Sequence, residues 1–284
     1  MMPIKIVECP RDAMQGFHSF IKTEDKVDYI NSLIKVGFYA LDCGSFVSVK
    51  SVPHLADTAN VLKAIDKVEN GTKLLVIAAN ERGASEACSF DNVDIIGFPF
   101  SISEQFQLRN TKQNFSQAQN TLKTIKQLCD QHNKELLVYL SMGFGNPYGE
   151  DWSVDLAFNW CKTLAEMGVK FINLSDTIGK AQPEDISSLF EKCLKDLPEI
   201  EFGAHFHTRP DNYLANVSAA YNTGCRKFDT AIKGFGGCPF ATDKLTGNLP
   251  TEDLIRFLDD ADYSHSINTS AFNEAYQKAS KIFL

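Results

Sequence analysis

The sequence predicts a TIM barrel, a single closed ring of eight βα units, and three observations predict it. The chain has 284 residues, close to the ~250 typical of such a barrel. Short β-rich apolar runs alternate with longer stretches of helical period, and eight of the short runs can be counted. Residues 4–259 shared among eight units give 32 residues each, near the ~30 of a βαβ motif.

The expected strands cover 4–7, 39–42, 74–78, 94–98, 136–140, 171–174, 202–205 and 227–231. The clearest helical periods between them are 26–36, 115–129, 156–167, 184–194 and 214–221. Gln182-Pro183-Glu184 places a proline where a helix begins. Gly37, Gly168 and Gly224 stand where helices should stop in a left-handed cap before the next strand. The second and third units are the weakest, because HLADTANVLKAI and ASEAC leave little room for a helix. The expectation is one catalytic domain over 1–284, with the barrel at about 4–259 and a short helical tail at 260–284. An open doubly wound sheet is the alternative; eight consecutive units favour closure.

Composition narrows the function classes. With 44% apolar and 23% charged residues, the chain has the make-up of a globular protein rather than a disordered or fibrous one. A formal charge of −8 argues against bulk nucleic-acid binding and leaves small molecules or another copy of the chain, as a homodimer or higher homo-oligomer, as expected partners. No run approaches the ~20 apolar residues of a membrane helix, and the N-terminus shows no targeting pattern, so the expected location is cytoplasmic. Eight cysteines without a CxxC pair suit neither a zinc knuckle nor a disulfide framework.

In such a barrel the chemistry sits at the C-terminal strand ends. The seventh strand ends His205-Phe206-His207, so both imidazoles share one face and Phe206 takes the other. Together with Asp12 after the first strand they make a set suited to Mg²⁺ or Mn²⁺ better than to tetrahedral zinc. Asp42 and Ser45 lie at the end of the second strand, and Tyr139 on the fifth. Asp176 after the sixth strand reads as a base, as an orienting group or simply as a helix cap. Cys238 lies on the glycine-rich loop Lys233–Phe240, which matches no dinucleotide or phosphate-loop pattern, and a thiol there is a functional candidate.

In order, CPRDAMQ, SFVS, LSDTIG, HFH, GFGGCP and TGNLPTED resemble the hydroxymethylglutaryl-CoA lyases of the metal-dependent DRE-TIM metallolyase family, over roughly residues 4–259. The resemblance implies a TIM barrel that cleaves 3-hydroxy-3-methylglutaryl-CoA to acetyl-CoA and acetoacetate. It implies that Asp12, His205, His207 and Asn248 bind the divalent cation, Mg²⁺ or Mn²⁺, and that Arg11 stabilises the enolate. It further implies that Cys238 takes part in proton transfer, that Asp176 lies beside the reacting hydroxyl, and that Gln15, Ser45, Tyr139 and Thr177 line the acyl pocket. His205 and Asp176 are both candidates for the base.

Four features depart from the family pattern. Asp42 stands where Glu is typical, Thr208-Arg209 where Asp-Thr is common and Asn173 where a small hydroxyl residue is usual, while the stretch from Cys238 to Asn248 is one residue longer than in the animal enzymes. A lyase for a longer-branched 3-hydroxyacyl-CoA, with Arg209 as an extra anion contact, is therefore one alternative. A Claisen-condensing acyl-CoA/2-oxo acid synthase is another, disfavoured by the short tail; a non-catalytic metal- or acyl-CoA-binding barrel is the third.

Overall fold

The computed structural model describes residues 4–17, 19–66, 68–237 and 246–283. Eight parallel strands form the wall: β1 (Lys5–Glu8), β2 (Ala40–Ser45), β3 (Lys73–Ile77), β4 (Ile95–Ser101), β5 (Glu135–Ser141), β6 (Phe171–Asp176), β7 (Glu201–Thr208) and β8 (Lys227–Thr230). Each pairs with its sequence neighbours, and β8 pairs with β1, which closes the ring. A two-residue strand, β9 (Gly247–Asn248), runs antiparallel to the end of β7.

The helices are α1 (Pro10–Gln15), α2 (Thr23–Ile34), α3 (Thr58–Ala64), α4 (Glu81–Cys88), α5 (Glu104–Thr111), α6 (Phe115–Gln131), α7 (Val154–Glu166), α8 (Pro183–Asp196), α9 (Tyr213–Asn222), α10 (Thr251–Asp260) and α11 (Thr269–Phe283). α3 and α4 are short, as their sequences require. Gly37, Gly168 and Gly224 all have positive φ (84°, 86° and 110°), the backbone region that glycine enters without cost. The extra helices α1 and α5 follow strands directly and carry residues to the mouth. Their six and eight residues are too few for periodicity to reveal.

Two apolar layers hold the ring. One lies between strands and helices; the other fills the bore with Val7, Cys9, Ala40, Leu75, Ile77, Ile95, Leu137 and Tyr139. Phe206 packs outward, edge-on to Phe144 at 5.7 Å, so the alternation expected along β7 holds. At the N-terminal end of the bore, Lys5 meets Glu201 and Lys73 meets Glu135, both at 2.5 Å.

The tail helix α11 is built into the molecule. It buries Phe272, Ala275, Ala279 and Phe283, spaced three to four apart as one helix face requires. The Phe283 ring lies 4.8 Å from that of Phe235, at the base of the glycine-rich loop, and 5.7 Å from that of Phe17. The tail thus braces a segment next to the barrel mouth. Among the described residues, no helix is long and apolar enough to cross a membrane.

Candidate active site

Helix α1 starts at the end of β1 because Pro10 occupies its first turn, where a missing N–H costs nothing. That short turn places Arg11, Asp12 and Gln15 over the bore. The Arg11 guanidinium donates from Nη1 to Asp12 Oδ1 (2.8 Å) and Gln15 Oε1 (3.1 Å), and from Nε to both Asp42 oxygens (3.2 and 3.0 Å). Nη2 also donates to Asp42. This planar fork between two carboxylates fixes the cation in one orientation. Both carboxylates and the burial around them determine the charge states. Burial raises Asp42 to about 6 against the pull of Arg11. For Asp12 burial acts in the same direction, but Arg11, His207 and His205 together hold it near 2.

Donor atoms of Asp12, His205 and His207 all lie within 4.8 Å of one another. β9 adds the fourth residue expected of the set: its register sets Asn248 opposite His207. Asn248 Nδ2 donates to Asp12 Oδ2 and to the Phe235 carbonyl, both at 2.8 Å. Gly236 allows this close approach, since a Cβ there would stand 2.6 Å from Asn248 Nδ2 and 2.7 Å from the Asp12 carbonyl. Burial, then the neighbouring His205, lowers His207 to about 4. An ionised carboxylate beside a neutral imidazole is the protonation pattern that a cation requires of its ligands. These residues therefore fit a divalent cation, with Asn248 able to offer oxygen after rotation of its terminal amide.

His205 is oriented from behind. Its β8 register partner is Asp229, and its Nδ1 meets Asp229 Oδ2 at 3.0 Å. Burial opposes charge on His205, yet the hydrogen bond and the negative charge of Asp229 outweigh it and raise its pKa. Asn173 Nδ2 also donates to Asp229 Oδ2 (2.8 Å). Asp229 was not among the residues singled out from sequence. The signal was present, because Phe228 belongs to the outer apolar layer and strand parity then turns Asp229 inward.

A cavity of about 680 Å³ connects this cluster to the surface. Arg11, Asp12, Gln15, Ser45, Tyr139, Thr177, His205 and His207 all contribute to its wall. The Tyr139 hydroxyl is buried without a partner. At the outer end the wall includes Arg109 and Lys112 of α5 and its cap, with Ser48, Ser51 and Asn80. Asp42 sits behind Arg11 and is fully buried.

Asp176 lies elsewhere than the resemblance implied. Asn173 and Ser175 take the inward positions on β6, so Asp176 turns toward the helices, beside Phe206 in the register. Its oxygens accept from the backbone N–H groups of Lys180 (3.0 Å) and Ala181 (2.8 Å). The carboxylate ties down the loop into α8, which corrects its placement beside a reacting hydroxyl. Arg209 pairs with Asp211, Nε lying 3.1 Å from Oδ1, and is not among the residues that line the cavity. Cys238 lies outside the described residues.

The ring and its mouth define a TIM-barrel enzyme with a candidate cation site. The chain belongs to the HMGL-like family, which matches residues 4–278. It is 32% identical to the hydroxymethylglutaryl-CoA lyase YngG of Bacillus subtilis over 91% of this chain and 85% of that protein. It is 30% identical to the cytoplasmic 3-hydroxy-3-methylglutaryl-CoA lyase of Homo sapiens over 96% of this chain and 73% of that one. A solved HMG-CoA lyase from Bacillus subtilis superposes with a TM-score of 0.92 at 30% identity, covering 99% of this chain and 95% of that one. An HMG-CoA lyase from Acinetobacter baumannii, solved with coenzyme A and 3-methylmalate, gives 0.91 at 28% identity, covering 99% and 91%.

Proposed function

We propose that the chain is a divalent-metal-dependent lyase that cleaves 3-hydroxy-3-methylglutaryl-CoA into acetyl-CoA and acetoacetate. The observation that carries this reading is the buried Arg11, clamped by Asp42 and set within one bond of Asp12 at the cation cluster.

The reaction removes the C3 hydroxyl proton and breaks C2–C3. The electron pair passes into the thioester enolate, which regains a proton at C2. Asp12, His205, His207 and Asn248 are assigned to an Mg²⁺ or Mn²⁺ ion, which would polarise the substrate oxygens. Arg11 holds a fixed positive charge at the dry end of the cavity, where it stabilises the enolate most; Asp42 fixes its orientation. Asp229 engages His205 Nδ1, leaving one imidazole nitrogen for the cavity. That nitrogen serves either a cation or a proton, and the proximity of Asp12 and His207 supports ligation. Cys238 is assigned the return of the proton; the chain reaches the cavity wall at Gly237, one residue before it. Gln15, Ser45, Tyr139 and Thr177 are assigned to the acyl group.

The outer end supports an acyl-CoA. In a chain of net charge −8, Arg109 and Lys112 bring two positive charges to the cavity mouth, suited to the phosphates of the carrier. Seven described cysteines are buried and unpaired, which supports a reducing compartment such as the cytoplasm.

The test is to incubate the purified chain and Mn²⁺ with 3-hydroxy-3-methylglutaryl-CoA and, separately, with longer-branched 3-hydroxyacyl-CoA analogues. Acetoacetate from the first substrate at the highest kcat/KM is the expected result. Products from an analogue alone would retain the lyase and replace the substrate.

A further inference from the structure

A second group of metal-ligating side chains lies deeper in the bore. Cys9, His205 and Asp229 each place a donor atom within 4.8 Å of the other two. They come from the end of β1, from β7 and from β8, three consecutive strands of the ring. Cys9 is 1% exposed and Asp229 2%.

Their bonding is incomplete. Asp229 uses Oδ2 for both Asn173 and His205, while Oδ1 of the same carboxylate is buried with no partner. The Cys9 thiol has only a long contact, 3.9 Å, to the Val7 carbonyl. A buried carboxylate oxygen without a partner is expensive and points to a missing water or ion.

The donor chemistry separates this group from the one above it. Asp12 and Asn248 offer hard oxygens alongside two imidazoles, whereas Cys9, His205 and Asp229 offer one sulfur, one nitrogen and one oxygen. Thiolate selects soft or borderline ions over Mg²⁺ and Mn²⁺. We propose that Cys9, His205 and Asp229 form a second cation site, selective for Zn²⁺ or Co²⁺, deeper in the barrel than the first. Binding there releases the Cys9 thiol proton to solvent and replaces the hydrogen bond between Asp229 and His205 Nδ1. Because His205 is common to both groups, filling the deeper site weakens Mn²⁺ binding at the upper one. This inference rests on the donor set and stands apart from the lyase reading.

The experiment loads metal-stripped protein with Co²⁺ and records the near-ultraviolet sulfur-to-cobalt charge-transfer band. Because Cys238 is another candidate thiol, wild type is compared with Cys238→Ser, Cys9→Ala and Cys9→Ser. The band should persist in Cys238→Ser and vanish in both Cys9 variants, whose Mn²⁺ binding by electron paramagnetic resonance remains. Absence of the band from wild type, or its loss in Cys238→Ser alone, overturns the proposal. Zinc-edge anomalous diffraction from Zn²⁺-soaked wild-type crystals decides without a variant. A peak about 2.3 Å from Cys9 Sγ is expected; zinc confined to Asp12 and His207 overturns the site.

Discussion

Both ends of the barrel bore carry charge, but they use it differently. At the N-terminal end, Lys5 pairs with Glu201 and Lys73 with Glu135, with about a third of each side chain exposed. Tyr39 lies beneath both ammonium groups, at 4.7 and 5.2 Å. At the C-terminal end one arginine is divided between two carboxylates, and two histidines converge on one of those carboxylates. The first arrangement neutralises charge. The second concentrates ligands and a fixed cation around a cavity, which is how a barrel separates its stability from its chemistry.

Substitutions break this contrast in a graded order. Arg11→Met should lower kcat for acetoacetate release by about 10²–10³, the cost of losing a preorganised donor to developing negative charge, while Mn²⁺ binding persists. His207→Ala should weaken Mn²⁺ binding by on the order of 100-fold, measured by electron paramagnetic resonance titration. Asp229→Asn, which keeps the shape but removes the charge behind His205, should weaken it by roughly tenfold.

Glu8 offers a test by pH. It accepts from the Ile232 N–H (2.8 Å) and the Thr251 hydroxyl (2.5 Å), joining β1 to the segments that flank the glycine-rich loop. Burial raises it from 4.5 to about 8. Between those values the folded chain keeps a proton that the unfolded chain has lost, so this group makes stability fall as pH rises. Urea unfolding of Glu8→Gln should lack that part of the slope between pH 5 and 8; an unchanged slope would remove Glu8 as its source. The smallest effect belongs to the other end: Lys73→Ala should cost no more than about 1 kcal/mol and leave turnover unchanged.

The barrel was legible because eight β-rich runs recur at near-even spacing, with clear helical periods between five of them and glycine stops at Gly37, Gly168 and Gly224. The C-terminal ends of four strands were not, since β2 continues to Ser45, β4 through Pro99 to Ser101, β6 to Asp176 and β7 to Thr208, where tertiary pairing extends the runs. His205 and His207 were legible from strand parity, with Asp12 following from closure. Applied to β6, the same parity turns Asp176 outward and Ser175 inward, and applied to β8 it brings Asp229 inward. Asn248 owes its place to pairing across 40 residues of chain, which no local pattern encodes; only the family resemblance indicated it. Arg109 and Lys112 were not singled out for the same reason, because the end of a short helix becomes a cavity wall only when the ring closes.

The central claim is that the C-terminal cluster holds one cation on which cleavage depends. Its most direct measurement is acetoacetate release from 3-hydroxy-3-methylglutaryl-CoA by metal-stripped protein during stepwise addition of Mn²⁺. Activity should rise from baseline in proportion to occupancy of one Mn²⁺ per chain, and EDTA should abolish it. Full activity in the stripped protein, or none at any Mn²⁺ concentration, would contradict the account.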